Sequence, residues 1–148
     1  SPLPESQLDR FLMRISLGFP DREAERNLLL GLANPVHQLE NSIDSNGLIE
    51  AQQLCSELTV QTSLLDYVLD LLATSRYQNS PASLSPRAGQ CLLSAARGWA
   101  LMEQRKYVIP ADVISVFTAV AEHRLDSGQP RGHDSLSQQL LKQVDAIR

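Results

Sequence analysis

Arg87 stands at a position where a guanidinium group could bind an anion. Ser85 followed by Pro86 is a strong helix start, because serine caps a helix and proline suits its first position. Arg87 is then the second residue of that helix, beside free N–H groups that bind phosphate readily. It could complete an anion pocket with two parallel hydrogen bonds. A cation there also opposes the helix dipole, so a solvated surface arginine is an equally good interpretation.

Arg10 is the second arginine whose surroundings suggest a role. It lies in the run QLDRF at residues 7–11, immediately before a segment in which apolar residues alternate with polar ones. The alternation predicts a β-strand over residues 11–19, with Arg10 at its mouth near a sheet edge, where Asp9 could orient it. From the residues alone, a local salt bridge is the simpler explanation.

The elements that would position these arginines are mostly helical. Apolar residues at helical spacing predict about five or six helices after the strand. A lone strand cannot satisfy its backbone groups, so its sheet must lie outside this chain, and residues 1–20 would be disordered or borrowed by a neighbour. The predicted helices begin near Asp21, Leu48, Ser63, Pro86, Pro110 and Ser135, with a stop at Asn34-Pro35 and a loop at 36–47 that turns at Asn46-Gly47.

Composition and charge exclude several classes of function. The 148 residues are 43% hydrophobic and 20% charged, which is ample for one folded core. A net charge of −4 gives no basic footprint for nucleic acid, and no apolar run reaches the length of a membrane span. Cys55 and Cys91 fit small buried side chains in a reducing cytoplasm. No spacing predicts a metal site or a Ser-His-Asp site at the histidines, which are His37, His123 and His133.

Three blocks of sequence are similar to the MoxR family of AAA+ ATPases. Residues 2–12 (PLPESQLDRFL) resemble the segment that follows sensor 1 in that family. Residues 85–88 (SPRA), followed by 95–101 (AARGWAL), resemble its lid and sensor 2 region, and 123–125 (HRL) resemble its usual close. The blocks keep the family's order and separation, and the resemblance covers roughly residues 1 to 125. The first residue is Ser, so we expect a chain cut from something longer.

The resemblance implies a fold and a set of site residues. The fold would be an all-α helical bundle, the lid of a AAA+ ATPase, preceded by a remnant strand of the α/β core. Its parts would be the core remnant at 1–20, the lid at 21–125, and a linker with a terminal amphipathic helix at 126–148. By the same resemblance, Arg10 matches the arginine finger, acting in trans on a neighbour's nucleotide. Arg87, with Ser85 and Pro86, matches sensor 2 at the ATP phosphate.

The resemblance also implies an activity for the full-length protein. It would bind and hydrolyse ATP with Mg²⁺ in a cytoplasmic homo-oligomeric ring, for which the family implies a hexamer. It would act like a chaperone in the maturation of client complexes or in metal insertion, with a von Willebrand factor A-type partner. The chain has no G-x-x-x-x-G-K-[ST] phosphate-binding loop, no acidic Walker B strand and no sensor 1 asparagine. We expect these upstream of Ser1, so this stretch alone should neither hold ATP nor hydrolyse it.

Several positions depart from the family pattern or have a structural interpretation. Gln104 stands where the family often has glycine, and Ile109 replaces the usual threonine cap before a helix. Arg97 and Arg105 also match family positions but lie away from the phosphate end of their helix, so we interpret both as structural. We expect the terminal helix over 135–147 to dock on its own lid, rather than on a neighbour or a client.

Two alternatives remain open. The nearest is the lid of a magnesium-chelatase-like AAA+ subunit, which is similar over the same region. The other is a stand-alone helical protein-interaction module without a nucleotide role. A phosphate-binding loop upstream of Ser1 in the parent reading frame would exclude the second.

Overall fold

A computed structural model describes residues 3–32, 43–77, 82–130, 132 and 135–146. Within these ranges the chain is a bundle of helices, so the all-α fold predicted from sequence is confirmed. The helices are α1 (Glu5–Leu8), α2 (Arg22–Leu29), α3 (Ser45–Glu57), α4 (Thr62–Tyr77), α5 (Pro86–Met102), α6 (Pro110–Leu125) and α7 (Leu136–Gln143).

The pair α5 and α6 forms the centre of the bundle. α3 and α4 pack on α5, α7 packs on α4 and α6, and the short α1 lies on α6. Large side chains at helical spacing fill the core, and each stabilises the fold by about 1.5–3 kcal/mol. The largest fully buried ones are Leu71, Leu92, Phe117, Leu125 and Leu140. α2 contacts none of the other described helices, and its residue Leu29 is 90% exposed.

The strand predicted over residues 11–19 forms no ladder within the described part of this chain. The described residues contain no strand, only a single parallel bridge between Thr59 and Tyr107. With no neighbouring strand, the segment has no ladder of hydrogen bonds to join. Its backbone contacts a helix instead. The N–H of Arg14 donates a hydrogen bond to the carbonyl of Ala119 on α6 at 2.8 Å.

The apolar side chains of this segment meet no core among the described residues. Ile15 is 72% exposed and Leu17 is 94% exposed, so the alternation reflects surfaces that this bundle does not bury. The prediction that residues 1–20 are disordered or borrowed by a neighbour does not hold for residues 9–14. Asp9 forms an ion pair with Arg124 on α6, and Arg14 forms one with Asp126, the residue that follows α6.

Two helix starts differ from their predicted positions. α3 begins at Ser45, because the carboxylate of Asp44 accepts the N–H of Gly47 at 2.7 Å and caps the helix. The predicted turn at Asn46-Gly47 is therefore wrong. α4 begins at Thr62, one residue before the predicted cap at Ser63. The stop at Asn34-Pro35 and the loop at 36–42 lie outside the described residues.

The terminal helix α7 docks on its own lid, as predicted. Leu140 is 1% exposed, and the carboxylate of Glu122 on α6 accepts hydrogen bonds from the start of α7. The donors are the hydroxyl of Ser135 at 2.8 Å and the N–H groups of Leu136 at 3.0 Å and Ser137 at 2.8 Å. Burial alone would raise the pKa of Glu122, but these hydrogen bonds hold it below its ordinary value.

Arg105 has the structural role expected from the sequence. Its guanidinium forms a bidentate ion pair with Asp112 and also donates to the carbonyl of Tyr107 at 3.2 Å. Asp112 in turn accepts the N–H of Ile109 at 2.8 Å, which offsets the missing threonine cap of α6. Burial would raise the pKa of Asp112, but the hydrogen bonds from Arg105 and Ile109 lower it. The Nε of Arg97 is buried without a partner among the described residues, so its structural role stays a prediction.

Gln104 has a backbone conformation that suits glycine. Its φ is +57°, in the left-handed region, immediately after the C-cap of α5. The N–H of Gln104 donates to the carbonyl of Leu101, and the N–H of Arg105 donates to the carbonyl of Ala100, both at 2.9 Å. These two bonds form the Schellman motif, which closes a helix most easily with glycine at this residue.

We expect Gln104→Gly to stabilise the fold by about 0.5–1 kcal/mol, because relief of the left-handed strain exceeds the entropy glycine adds to the unfolded chain. Chemical denaturation of the 148-residue chain measures this. Gln104→Ala is the matched control and should change stability by less than about 0.5 kcal/mol, because alanine keeps the strain. An equal gain from both variants would contradict the explanation.

Candidate functional site

Arg124 fastens the first part of the chain to α6. Its side chain is 3% exposed, and its Nε donates to the carboxylate of Asp9 at 2.9 Å. Its Nη2 donates to the carbonyls of Asp9 at 3.0 Å and Phe11 at 2.7 Å. Its Nη1 donates to the carbonyls of Leu12 and Val120. A buried guanidinium is tolerated only when its donors are satisfied, and here the segment 9–12 supplies most of the acceptors.

The carboxylate of Asp9 also reaches the start of α5. Both of its oxygens lie close to the hydroxyl of Ser85, at 2.8 and 3.0 Å. The same hydroxyl accepts the N–H of Ala88 at 3.1 Å and so caps α5. A continuous chain of hydrogen bonds therefore runs from Arg124 through Asp9 and Ser85 to the first turn of α5.

A second ion pair holds the same segment a few residues further along. Arg14 donates through both terminal nitrogens to Asp126, at 2.6 and 3.3 Å, and the side chain of Asp126 is fully buried. Asp126 also accepts the N–H of Gly128 at 2.8 Å, in the turn that ends α6. Residues 9–14 are thus attached to α6 by two ion pairs.

The two candidate arginines lie on either side of this network. Arg10 follows Asp9, and Arg87 lies two residues after Ser85; both side chains are exposed. No hydrogen bond or ion pair joins either guanidinium to another described residue. The hydrogen bond between Asp9 and Ser85 thus links residues close in the chain to Arg10 and Arg87, while both guanidinium groups have no partner among the described residues.

The other two candidate residues shape the start of α5. Pro86 is the first residue of the helix, where its missing N–H costs nothing. Ser85 donates its one hydroxyl hydrogen to Asp9 while it caps the helix, so in this arrangement that hydrogen is not offered to a phosphate. Contact of Ser85 and Pro86 with ATP stays a prediction.

A cleft of about 230 Å³ opens beside the network, between α1 and the start of α5. Its walls combine the apolar side chain of Leu8 with polar and charged groups. The lining residues are Glu5, Ser6, Leu8, Asp9, Ala82, Ser83, Ser85 and Arg124. The cleft leaves space at the α5 end, where a group bound from outside could approach.

His123 is buried beside Arg124 and stays neutral more readily than a free histidine. Its Nε2 lies 3.1 Å from Nη1 of Arg124, which assigns Nε2 as the acceptor, and its Nδ1 has no partner among the described residues. Burial lowers the pKa of His123 below its ordinary 6.5, and the positive charge of Arg124 lowers it further. A proton on His123 would therefore oppose the ion pair between Arg124 and Asp9.

Sequence reasoning did not identify Arg124 as the organising residue. The sequence did contain a signal for this role. Arg124 follows Val120 by four residues and therefore lies on the buried stripe of α6. A charged residue on such a stripe must find buried partners. The sequence also gave no sign that Asp126 would accept Arg14, since these residues are 112 positions apart.

Two further features bear on the kind of site. Among the described residues, no cluster of His, Cys, Asp and Glu could hold a metal ion, and no helix has the length and apolarity to cross a bilayer. Cys55 and Cys91 are both free thiols and partly buried.

We expect Arg124→Ala to destabilise the chain by about 3 kcal/mol, because it leaves a carboxylate and several carbonyls without their donor. Denaturation measures the loss, and hydrogen exchange should locate it at residues 9–14. Glu5→Ala is the matched control: it removes one exposed hydrogen bond, to Ser127, between the same segments. Equal stability of the two variants would contradict the anchoring role of Arg124.

Acid should weaken the attachment of residues 9–14 through His123. Because its pKa in the fold lies below the ordinary 6.5, its contribution is complete above about pH 6.5 and is lost as the pH falls towards the lower value. We expect the free energy of unfolding to fall as the pH drops below about 6.5, and His123→Gln to reduce that slope. An unchanged slope in His123→Gln would exclude this histidine as the cause. Glu122, with its lowered pKa, titrates below this range.

Comparisons with known proteins agree with this structure. Residues 80–144 match the family model of the AAA lid domain. The chain is 35% identical over 137 residues to Chaperone MoxR1 of Mycobacterium tuberculosis, and 32% identical over 127 residues to YeaC, an uncharacterised protein of Bacillus subtilis. Each alignment covers 84% of this chain, but the chain spans only 36% and 40% of those relatives.

A solved structure shares the fold. The crystal structure of a candidate ATPase from Cytophaga hutchinsonii superposes with a TM-score of 0.81 at 24% identity, covering 98% of this chain and 49% of that one. At this identity the likeness shows the fold alone. The lid-domain match and the MoxR1 relative show that the chain belongs to the MoxR-type AAA+ ATPases and carries their helical lid.

Proposed function

We propose that this chain is the lid part of an ATP-hydrolysing ring subunit, with Arg10 as its arginine finger and Arg87 as its sensor 2. The observation that supports this is the contrast around both residues. Their guanidinium groups are exposed and unpaired among the described residues, while the neighbouring Asp9 and Ser85 are hydrogen-bonded to each other. A guanidinium can donate to a phosphate only through N–H groups that no other acceptor already occupies.

Arg10 would act on the nucleotide of the neighbouring subunit. Negative charge spreads over the γ-phosphate oxygens as the phosphoryl group transfers, and Arg10 would donate hydrogen bonds to them. The adjacent carboxylate of Asp9 would not repel the phosphate strongly, because it is paired with Arg124 and hydrogen-bonded to Ser85. Arg10 thus keeps a net attraction for the developing anion.

Arg87 would bind a phosphate at the start of α5. Its place in the first turn of the helix puts its guanidinium beside N–H groups that favour an anion. A phosphate bound there would offset the unfavourable interaction between the positive charge of Arg87 and the positive end of the α5 dipole. Rings that mix variant and unaltered subunits would distinguish a phosphate of the same subunit from a phosphate of its neighbour.

ATP and Mg²⁺ would be held mainly by residues outside this sequence. The residues present fit a phosphate through arginine, whereas the described part of the chain offers no acidic cluster for Mg²⁺. The sequence also has no phosphate-binding loop. We therefore propose that the 148 residues alone do not hydrolyse ATP, and that the parts at 1–20, 21–125 and 126–148 are core remnant, lid and terminal appendage.

The wider setting follows from the family. We propose a cytoplasmic homo-oligomeric ring, a hexamer, that acts like a chaperone in client maturation or metal insertion, together with a von Willebrand factor A-type partner. The name of the relative MoxR1, a chaperone, supports this choice. The magnesium-chelatase-like lid and the stand-alone interaction module are the alternatives, and ATP hydrolysis by the full-length protein would exclude the second.

We expect Arg10→Ala in the full-length protein to lower kcat for ATP hydrolysis by about 10³-fold, as loss of a finger does in other NTPases. Arg22→Ala, an exposed arginine on α2, is the matched control and should leave kcat unchanged. Mixing Arg10→Ala subunits with subunits disabled in their phosphate-binding loop should restore turnover, because the latter still supply the finger. Full activity of Arg10→Ala would reject the finger assignment.

A further inference from the structure

We propose that Arg124, Asp9 and Ser85 are positioning residues that make the finger segment and the sensor 2 helix move as one unit. This inference rests on the proposed roles of Arg10 and Arg87. It adds that the lid's response to nucleotide is transmitted to the finger through two side-chain contacts. The coupling would pass from Arg87 through the cap of α5 to Asp9, and from there to the backbone of Arg10.

The backbone of Arg10 is held from both sides by one nitrogen. Nη2 of Arg124 donates to the carbonyl of Asp9 at 3.0 Å and to that of Phe11 at 2.7 Å, the residues immediately before and after Arg10. The N–H of Arg10 donates to the carbonyl of Gln7 at 3.1 Å, in the turn that ends α1. These three bonds fix the direction in which the exposed side chain of Arg10 leaves the chain.

The start of α5 is held by the same carboxylate. Ser85 sets the beginning of this helix by accepting the N–H of Ala88, and its hydroxyl donates to Asp9. A shift of Ser85 must therefore move Asp9 or break a hydrogen bond to an ionised group, which is stronger than a neutral one. The guanidinium of Arg124 resists the second outcome, because it holds Asp9 against α6 through the ion pair.

This arrangement predicts a specific kinetic signature. A variant that breaks the link misplaces Arg10 in the transition state. We expect it to retain ATP binding, because in this arrangement the hydroxyl hydrogen of Ser85 goes to Asp9 and not to a phosphate. It should therefore lower kcat without raising KM for ATP. A displacement of about 1 Å can cost up to roughly 10²-fold in rate.

The test is a double-mutant cycle in the full-length ring. Asp9→Ala and Ser85→Gly should each lower kcat by about 10- to 100-fold with unchanged KM. Glycine keeps most of the cap, and Ser85→Thr restores both the cap and the hydroxyl, so Ser85→Thr should recover activity. In the Arg10→Ala background, Asp9→Ala and Ser85→Gly should cause no further loss, because they act through Arg10.

Controls separate this proposal from the one on which it rests. Arg22→Ala, on the exposed helix α2 away from the network, should leave kcat unchanged. If Arg10→Ala lowers kcat but the Asp9 and Ser85 variants add to its loss or have no effect of their own, the positioning network is overturned and the finger stands. If Arg10→Ala has no effect, both proposals are overturned. Hydrogen exchange supplies a second readout, since Ser85→Gly should speed exchange at residues 9–12 and 87–89 together.

Discussion

The buried guanidinium of Arg124 is the constraint on which the arrangement of this lid depends. A charged group with a side chain 3% exposed is stable only if its donors find acceptors, and α6 by itself supplies few of them. The segment around Asp9 supplies the rest, with one carboxylate and several carbonyls. Residues 9–12 are therefore drawn onto the bundle although most of their apolar side chains stay exposed. The segment stays attached because detachment would leave Arg124 buried without partners, and hydrophobic burial contributes little.

The charged side chains around Arg124 are of two kinds: some are paired within the chain, and others are available to a ligand. Asp9 is paired with Arg124, and Asp126 is paired with Arg14, so each carboxylate in the contact is neutralised by its own arginine. His123 is kept neutral by burial and by the charge of Arg124, and it adds no cation. Arg10 and Arg87 have no such partner among the described residues. Their positive charges are therefore available at the surface to attract an anion, as two phosphate-contacting residues would require.

The sequence predicts the bundle well and the contacts of its first segment poorly. Helical spacing and caps placed α5 and α6 closely, because Ser85-Pro86 and the valines after Pro110 are strong local signals. Alternation over residues 11–19 predicts a strand, but the described residues include no neighbouring strand with which it could pair. The link from Asp9 to Ser85 joins residues 76 positions apart, and no local pattern could reveal it. The glycine preference at Gln104 was visible in the family pattern, and its physical cause, a left-handed φ, required the structure.

The most direct test is a structure of the full-length ring with a non-hydrolysable ATP analogue bound between subunits. The account predicts that Arg10 lies within about 3 Å of a γ-phosphate oxygen held by the neighbouring subunit. It also predicts that Asp9 keeps its contacts with both Arg124 and Ser85 in that state. An Arg10 side chain directed away from every nucleotide, or an Asp9 detached from Ser85 while the finger is engaged, would contradict it.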